Sequence, residues 1–246
     1  MEANKDQKVT KIYLATQSEV KISALRSITE QYKFFKDAEI VPYDIQPESN
    51  PAQPVNSGLK CARRRLEALK EQILSGDGSV EINEKSNVFL ALESEISTEQ
   101  ENHPVDVCHV VATRGEVEFT SFSYSIDVPD EYFKKTEETA EKTEDGFNVT
   151  VGETIEAELG INAKNWMKDE KFGGFDRVEQ LRGVLESVLG KILVESKIAY
   201  YNDFPKEGVI FKDLSLALAD PECLVALVNK FLSCFQFLAC FWFWPI

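Results

Sequence analysis

Histidine is nearly absent from this chain: His103 and His109 are the two copies in 246 residues. Cysteine is little commoner, and its five copies (Cys61, Cys108, Cys223, Cys234, Cys240) are widely spread, with no CxxC pair. Structural zinc sites draw on closely spaced Cys and His, and disulfide frameworks on even Cys sets, so both are excluded as expectations. A reducing, cytoplasmic compartment is expected instead. Basic residues are in deficit, 27 Lys and Arg against 42 Asp and Glu, for a net charge of −15. Nucleic acids and anionic membranes both select basic surfaces, so general binding to either is excluded. A small anionic ligand in a local basic pocket is still compatible with that charge. The opening MEANKDQKVTK has no apolar core, so no secretory signal is expected. The sequon Asn148-Val149-Thr150 is accordingly read as chance. Bilayer-length apolar runs are missing too. The last 16 residues, FLSCFQFLACFWFWPI, carry no charge but fall short of the roughly 20 that span a bilayer. They read as a hydrophobic tail, with a membrane anchor as the alternative.

What is present is a globular composition, 43% apolar, in a length that suits one large domain or two small ones. Residues 11–22, KIYLATQSEVKI, read as a strand, a polar turn and the start of a helix. Unsatisfied N–H groups and the macrodipole make such a junction an anion site. Thr16 and Ser18 add hydroxyls, and Lys21 adds a full charge. The same letters also fit a capping box from Thr16 to Glu19, so both readings stand.

The helix is predicted over 19–33, with Ile22, Leu25, Ile28 and Tyr32 inward. A strand is predicted at 38–45, then a loop at 46–54 that holds Glu48. Residues 57–72 predict a helix with Leu59, Ala62, Leu66 and Leu69 as its apolar stripe. Arg63, Arg64 and Arg65 sit beside that stripe, either as a solvated face or as donors to phosphate. A loop is predicted over 73–87. The apolar run 88–94 predicts a buried strand that ends on Glu93 and Glu95, where open α/β sheets place functional carboxylates. A hairpin follows through 105–126, with a phase change near Thr120. An acidic helix is predicted at 129–146, a short one at 152–160 closed by Gly160, and a polar link through 161–175. The clearest helix is 176–193, capped by Asp176, with Arg177 in its first turn after Gly173-Gly174.

The order strand–TQSEVK–helix, QPES…AQP loop, CARRR helix and strand closing ALES resembles the non-canonical purine NTP phosphatases, the inosine/xanthosine triphosphatase family, over about 11–195. Proline-rich coiled-coil proteins are relatives of the same fold. The match departs from the family pattern at Ser18-Glu19, Ala52, Cys61, Arg64 and Glu95. The resemblance implies an α/β fold, an elongated mixed sheet with flanking helices and a central cleft. It implies magnesium-dependent hydrolysis of ITP and XTP to monophosphate and pyrophosphate. Thr16, Ser18, Lys21, Arg63, Arg65 and Arg177 are then the expected substrate contacts. Glu93 and Lys21 are the expected catalytic residues, and Glu93 and Glu48 the expected magnesium ligands. A homodimer is a candidate assembly. Residues 200–230, YNDFPKEGVIFKDLS onward, resemble the N-terminal segment of adenine phosphoribosyltransferase. The expected division is therefore 1–196 and 197–246, the second part a short helical appendage. A catalytically silent interaction module, or a fragment of a salvage transferase, is the alternative function.

Overall fold

The computed structural model describes residues 8–75, 83, 85–99 and 103–242, with side chains through residue 232. Two compact units are present: Val9–Leu185, and a second built from Glu186 onward. The first is mixed α/β, with a mixed sheet and flanking helices.

Its sheet runs β2 (Glu39–Pro42), β1 (Lys11–Leu14), β4 (Asn87–Ser97), β5 (Val105–Arg114), β6 (Val117–Phe122), with β7 (Ile126–Asp127) also on β5. β1 is parallel to β2 and to β4, while β5 is antiparallel to β4 and β6. The chain leaves β1 through α1 (Glu19–Thr29) towards β2, then crosses back through α2 (Gly58–Leu74) to β4. Strand order therefore reverses at β1. Right-handed crossovers in opposite directions put their helices on opposite faces of the sheet. Tyr13, Phe89, Ala91 and Val111 accordingly pack with Ala62, Leu66 and Leu69 of α2. The stripe predicted for α2 is thus the buried one, with Leu59 at its margin. Ile22, Leu25, Ile28 and Tyr32 are likewise buried.

β4 is longer than its sequence suggests. It passes Glu93 and Glu95 and stays paired with β5 through Ser97, opposite Val105. Both carboxylates lie within the strand, and the end they lie beyond is that of β1, whose Leu14 pairs with Leu90. The ladder from β5 breaks after Phe122, later than the predicted Thr120. There Ser123 donates its amide to Cys108 O and accepts the Cys108 amide on Oγ.

A second core gathers Ile96, Ile126, Tyr132, Ile155, Trp166, Met167 and Phe172. It is roofed by α3 (Asp130–Thr139) and α4 (Val151–Leu159). The acidic helix stops at Thr139, because β8 (Lys142–Thr143) and β9 (Gly146–Phe147) turn back and join β3 (Gln53–Pro54). α4 opens with a full Thr150–Glu153 capping box and closes on Gly160 at φ +67°, a left-handed conformation that favours glycine. The link 161–175 is not merely polar: two 3₁₀ turns within it deliver Trp166, Met167 and Phe172 to the core. α5 (Arg177–Ser196) starts beneath the Asp176 carboxylate, which accepts the Val178 amide at 2.8 Å.

In the second unit β10 (Ala199–Asn202) and β11 (Ile210–Asp213) form a two-stranded ribbon, followed by α6 (Ser215–Ala219) and α7 (Pro221–Trp242). α7 lies against the last turns of α5, with Ala226 over Gly190 and Cys223 Sγ near Leu193 O. Among the described residues no helix is long and apolar enough to cross a membrane. The side chains of the predicted hydrophobic tail, from residue 233, lie outside the described residues.

Candidate functional site

In open α/β sheets the crevice at a strand-order reversal, beyond the carboxyl ends of the parallel strands, is the natural binding position. Here that position is the end of β1. A cavity of about 530 Å³ opens there, lined by Ser18 and Lys21 of the β1–α1 junction, Glu93, Ser94 and Asp106 of the sheet, and Arg177 of α5. Its far wall is the first turn of α4 and the Asn162–Lys164 turn with Trp166.

The junction leaves the first amides of α1 open towards the cavity. Ser18 is the N-cap of α1, but its hydroxyl makes no capping bond. Thr16 Oγ1 instead accepts the Ser18 amide at 3.1 Å, so the capping box read from Thr16 and Glu19 is not formed. Among the described residues the Glu19, Val20 and Lys21 amides have no protein acceptor. They carry the partial positive charge of the helix end, and Glu19 stands as an acidic residue in the same first turn. Lys21 Nζ reaches back to Leu92 O at 3.2 Å, which holds the ammonium over the cavity beside Glu93.

Glu93 is 7% exposed and is fixed by Arg65, whose Nε donates to Oε2 at 2.7 Å. Arg65 also donates Nη1 to Ile45 O at 2.5 Å. Two anchors on a buried guanidinium leave it no freedom to reach a ligand, and it does not line the cavity. Arg63 turns the other way and pairs with Glu118 at 2.8 Å. Three successive arginines project about 100° apart around a helix, so they cannot share one target. Glu48 is exposed in its loop and does not line the cavity with Glu93. Thr16 lies just behind the lining, shaping the turn.

Two residues that hold Arg177 were invisible to motif reasoning. Asp106, 3% exposed, grips Arg177 through two bonds of 2.6 and 2.8 Å. Gln180, fully buried, takes a third Arg177 donor at 2.7 Å and is itself tied to Tyr124 O. Burial works against the Arg177 charge, but the Asp106 carboxylate more than offsets it and raises the guanidinium above its ordinary range. A lone aspartate inside the apolar run Val105-Asp106-Val107 was the available signal, since a buried acid requires a partner.

Glu95 belongs elsewhere. It lines a second cavity of about 590 Å³ with Lys60, Arg63, Arg64, His109 and Asp145. Its Oε2 accepts the Gly58 amide at the start of α2 at 2.5 Å, and Oε1 meets His109 Nε2 at 2.9 Å. Burial alone would raise its pKa, but the bonds from His109 and the Gly58 amide overcome that and lower it. Neither Glu19 nor Glu95 lines the Lys21 cavity.

Among the described residues no group of three or more His, Cys, Asp or Glu is arranged around one metal position. Magnesium commonly takes only one or two carboxylates and completes its shell with phosphates and water. Glu93 fits that pattern, since Arg65 occupies Oε2 and no described donor occupies Oε1.

No family model matches the chain, and no curated protein does. Among solved structures it is similar to protein VC0702 from Vibrio cholerae, with a TM-score of 0.51 and 18% identity over 72% of this chain and 91% of that one. At that identity the likeness speaks for the fold alone, a mixed α/β domain of the kind described above.

Proposed function

We propose that this protein hydrolyses non-canonical purine nucleoside triphosphates, ITP or XTP, to the monophosphate and pyrophosphate with magnesium, in the cytoplasm, on an inosine triphosphatase-like fold. The observation that carries the reading is the meeting of Lys21, the uncapped start of α1 and the Glu93 carboxylate in one cavity at the strand-order reversal. The α1 amides and Lys21 bind phosphate oxygens. Arg65 orients Glu93 so that Oε1 is presented as a hard oxygen ligand. Bound magnesium supplies charge neutralisation across the phosphates. Arg177, its charge matched by Asp106 and its guanidinium also bound by Gln180, forms a rigid polar wall at the α5 side of the cavity. Water adds across the phosphoanhydride, and the chain needs no covalent nucleophile for this, since positioning and electrostatics dominate phosphoryl chemistry. Thr16 and Arg65 act through their neighbours, and Arg63 and Glu48 have no part in this reading.

The experiment is phosphate release from ITP and XTP with magnesium and added pyrophosphatase. Turnover is expected, with Lys21→Ala and Glu93→Gln each lowering it by about 100-fold or more, the usual effect of losing one preorganised electrostatic group. Absence of turnover, or turnover indifferent to both substitutions, sinks the proposal. A silent interaction module on the same fold is the second reading. It is favoured by one observation: Arg177 and Glu93 are already matched by Asp106 and Arg65. ITP binding without turnover would select it.

A further inference from the structure

We propose that Glu156, Asn162 and Lys164, on the far wall of the Lys21 cavity, read the base of a bound nucleotide and select a 6-oxopurine over adenine. The inference rests on the nucleotide reading above and assigns the part of the cavity that reading leaves unused. The two sides of the cavity differ in charge. At the β1–α1 junction, Lys21 and the open α1 amides offset Glu93. On the far wall, Glu153 and Glu156 of α4 outnumber Lys164. Phosphate oxygens are therefore favoured at the junction, and the far wall is left to the uncharged base.

Hydrogen-bonding capacity on that wall is unevenly spent. Glu153 is engaged, since its Oε2 accepts the Thr150 amide at 2.7 Å and the Thr150 hydroxyl at 2.9 Å. Asn162 Oδ1 accepts the Lys164 amide at 2.9 Å, which fixes the side-chain amide and leaves Nδ2 to donate. The side chains of Lys164 and Glu156 line the cavity, and neither has a hydrogen-bond or ion-pair partner among the described residues. Two donors and one acceptor are thus free, beside the buried Trp166 indole. A 6-oxopurine presents two acceptors, N7 and O6, followed by the N1–H donor. Adenine presents the N7 acceptor, the N6 amino donor and the N1 acceptor. Asn162 Nδ2, Lys164 Nζ and Glu156 match the first edge at three places and the second at one. An ammonium has no acceptor and an ionised carboxylate no donor, so neither can reverse its role to suit adenine. A site that spends buried polar groups on one pattern rejects the analogue that leaves them unpaired.

Calorimetric titration of the full chain with ITP and with ATP, calcium replacing magnesium, tests the inference apart from turnover. ITP should bind about tenfold or more tightly than ATP, the yield of one or two charge-assisted hydrogen bonds. Lys164→Met and Glu156→Leu should each weaken ITP by about tenfold and leave ATP nearly unmoved, so that the preference collapses. Both positions are exposed, so the fold tolerates the changes. Lys164→Arg keeps a donor and should keep the preference, which a purely structural role for Lys164 does not require. Lys21→Ala, at the phosphate end, should weaken both nucleotides alike and leave their ratio intact. Equal binding of ITP and ATP by the parent overturns the inference, as does a preference that survives both Lys164→Met and Glu156→Leu. If ITP is hydrolysed in that case, the hydrolase reading stands without it. A preference that collapses in the variants of a chain with no turnover supports the base wall and sinks hydrolysis instead. Failure to bind either nucleotide overturns both.

Discussion

Replacing Arg65 by leucine isolates the contact on which Glu93 depends. The pair is buried, with side-chain exposures of 11% and 10%, and its geometry is short at 2.7 Å. Leucine fills much of the volume but leaves the Glu93 carboxylate without its donor and the Ile45 carbonyl without its own. Breaking a buried pair from one side costs about 3–5 kcal/mol, and the residual exposure points to the lower end. An orphaned carbonyl adds about 1 kcal/mol. At roughly 2–4 °C per kcal/mol for a domain of this size, the melting temperature should fall by about 8–16 °C. The second arm is Arg65→Leu with Glu93→Leu, which removes both charges. Pairs swapped as a unit for apolar groups are often neutral, so the double variant should recover about 2 kcal/mol relative to the sum of the single changes. Urea unfolding followed by circular dichroism gives all four corners of the cycle. Additive losses would refute the claim that Arg65 serves Glu93. So would an Arg65→Leu variant as stable as the parent.

Other outcomes follow from the same contacts. Gly58→Ala should destabilise by about 1–3 kcal/mol by overpacking, because its Cβ would meet His109 Cδ2 at 2.8 Å and Glu95 Cβ at 2.9 Å; an unchanged urea midpoint would show that the strand and helix yield freely. Glu95 titrates below its ordinary 4.5, so its stabilisation is full above that value and is lost as pH falls through the lower folded value. The stability gap between the parent and Glu95→Gln should therefore close on acidification below pH 4.5, and a gap constant to pH 3 contradicts this. Burial pushes the Cys108 thiol up to about 11, so iodoacetamide at pH 8 should leave it unmodified in the native protein by peptide mapping. Prompt alkylation would show that the β5 region opens readily.

Legibility in the sequence followed the range of the forces involved. Helices α4 and α5 announce themselves by local chemistry, Gly160 at one end and Asp176 at the start of the other, and both stand where those residues put them. The end of β4 does not. Glu93 and Glu95 look like the polar close of a strand, yet their charges are satisfied by Arg65, His109 and the Gly58 amide, all distant in sequence, and the ladder continues. Residues 161–175 lack any period because 3₁₀ turns are short, so Trp166, Met167 and Phe172 read as link and are core. At the candidate site, the β1–α1 junction was readable because a strand, a polar turn and a helix start are contiguous in sequence. The Arg177–Asp106–Gln180 lock was not, since it joins β5 to α5 across 71 residues.

The mixed character of the sheet also sets an order of assembly. β4, β5 and β6 meet as neighbours along the chain, and the β5–β6 turn is tight at Gly115. β1 reaches β4 only by closing a loop that spans Lys11 to Asn87. Loop-closure entropy favours the shorter connection, and distant parallel pairings are slow to form. The antiparallel meander is thus expected to form early, with β1 and α1 docking on it later. Lys21 would then meet the Leu92 carbonyl only at that second stage, which makes the cavity an expected late feature of folding and an early loss when β1 detaches.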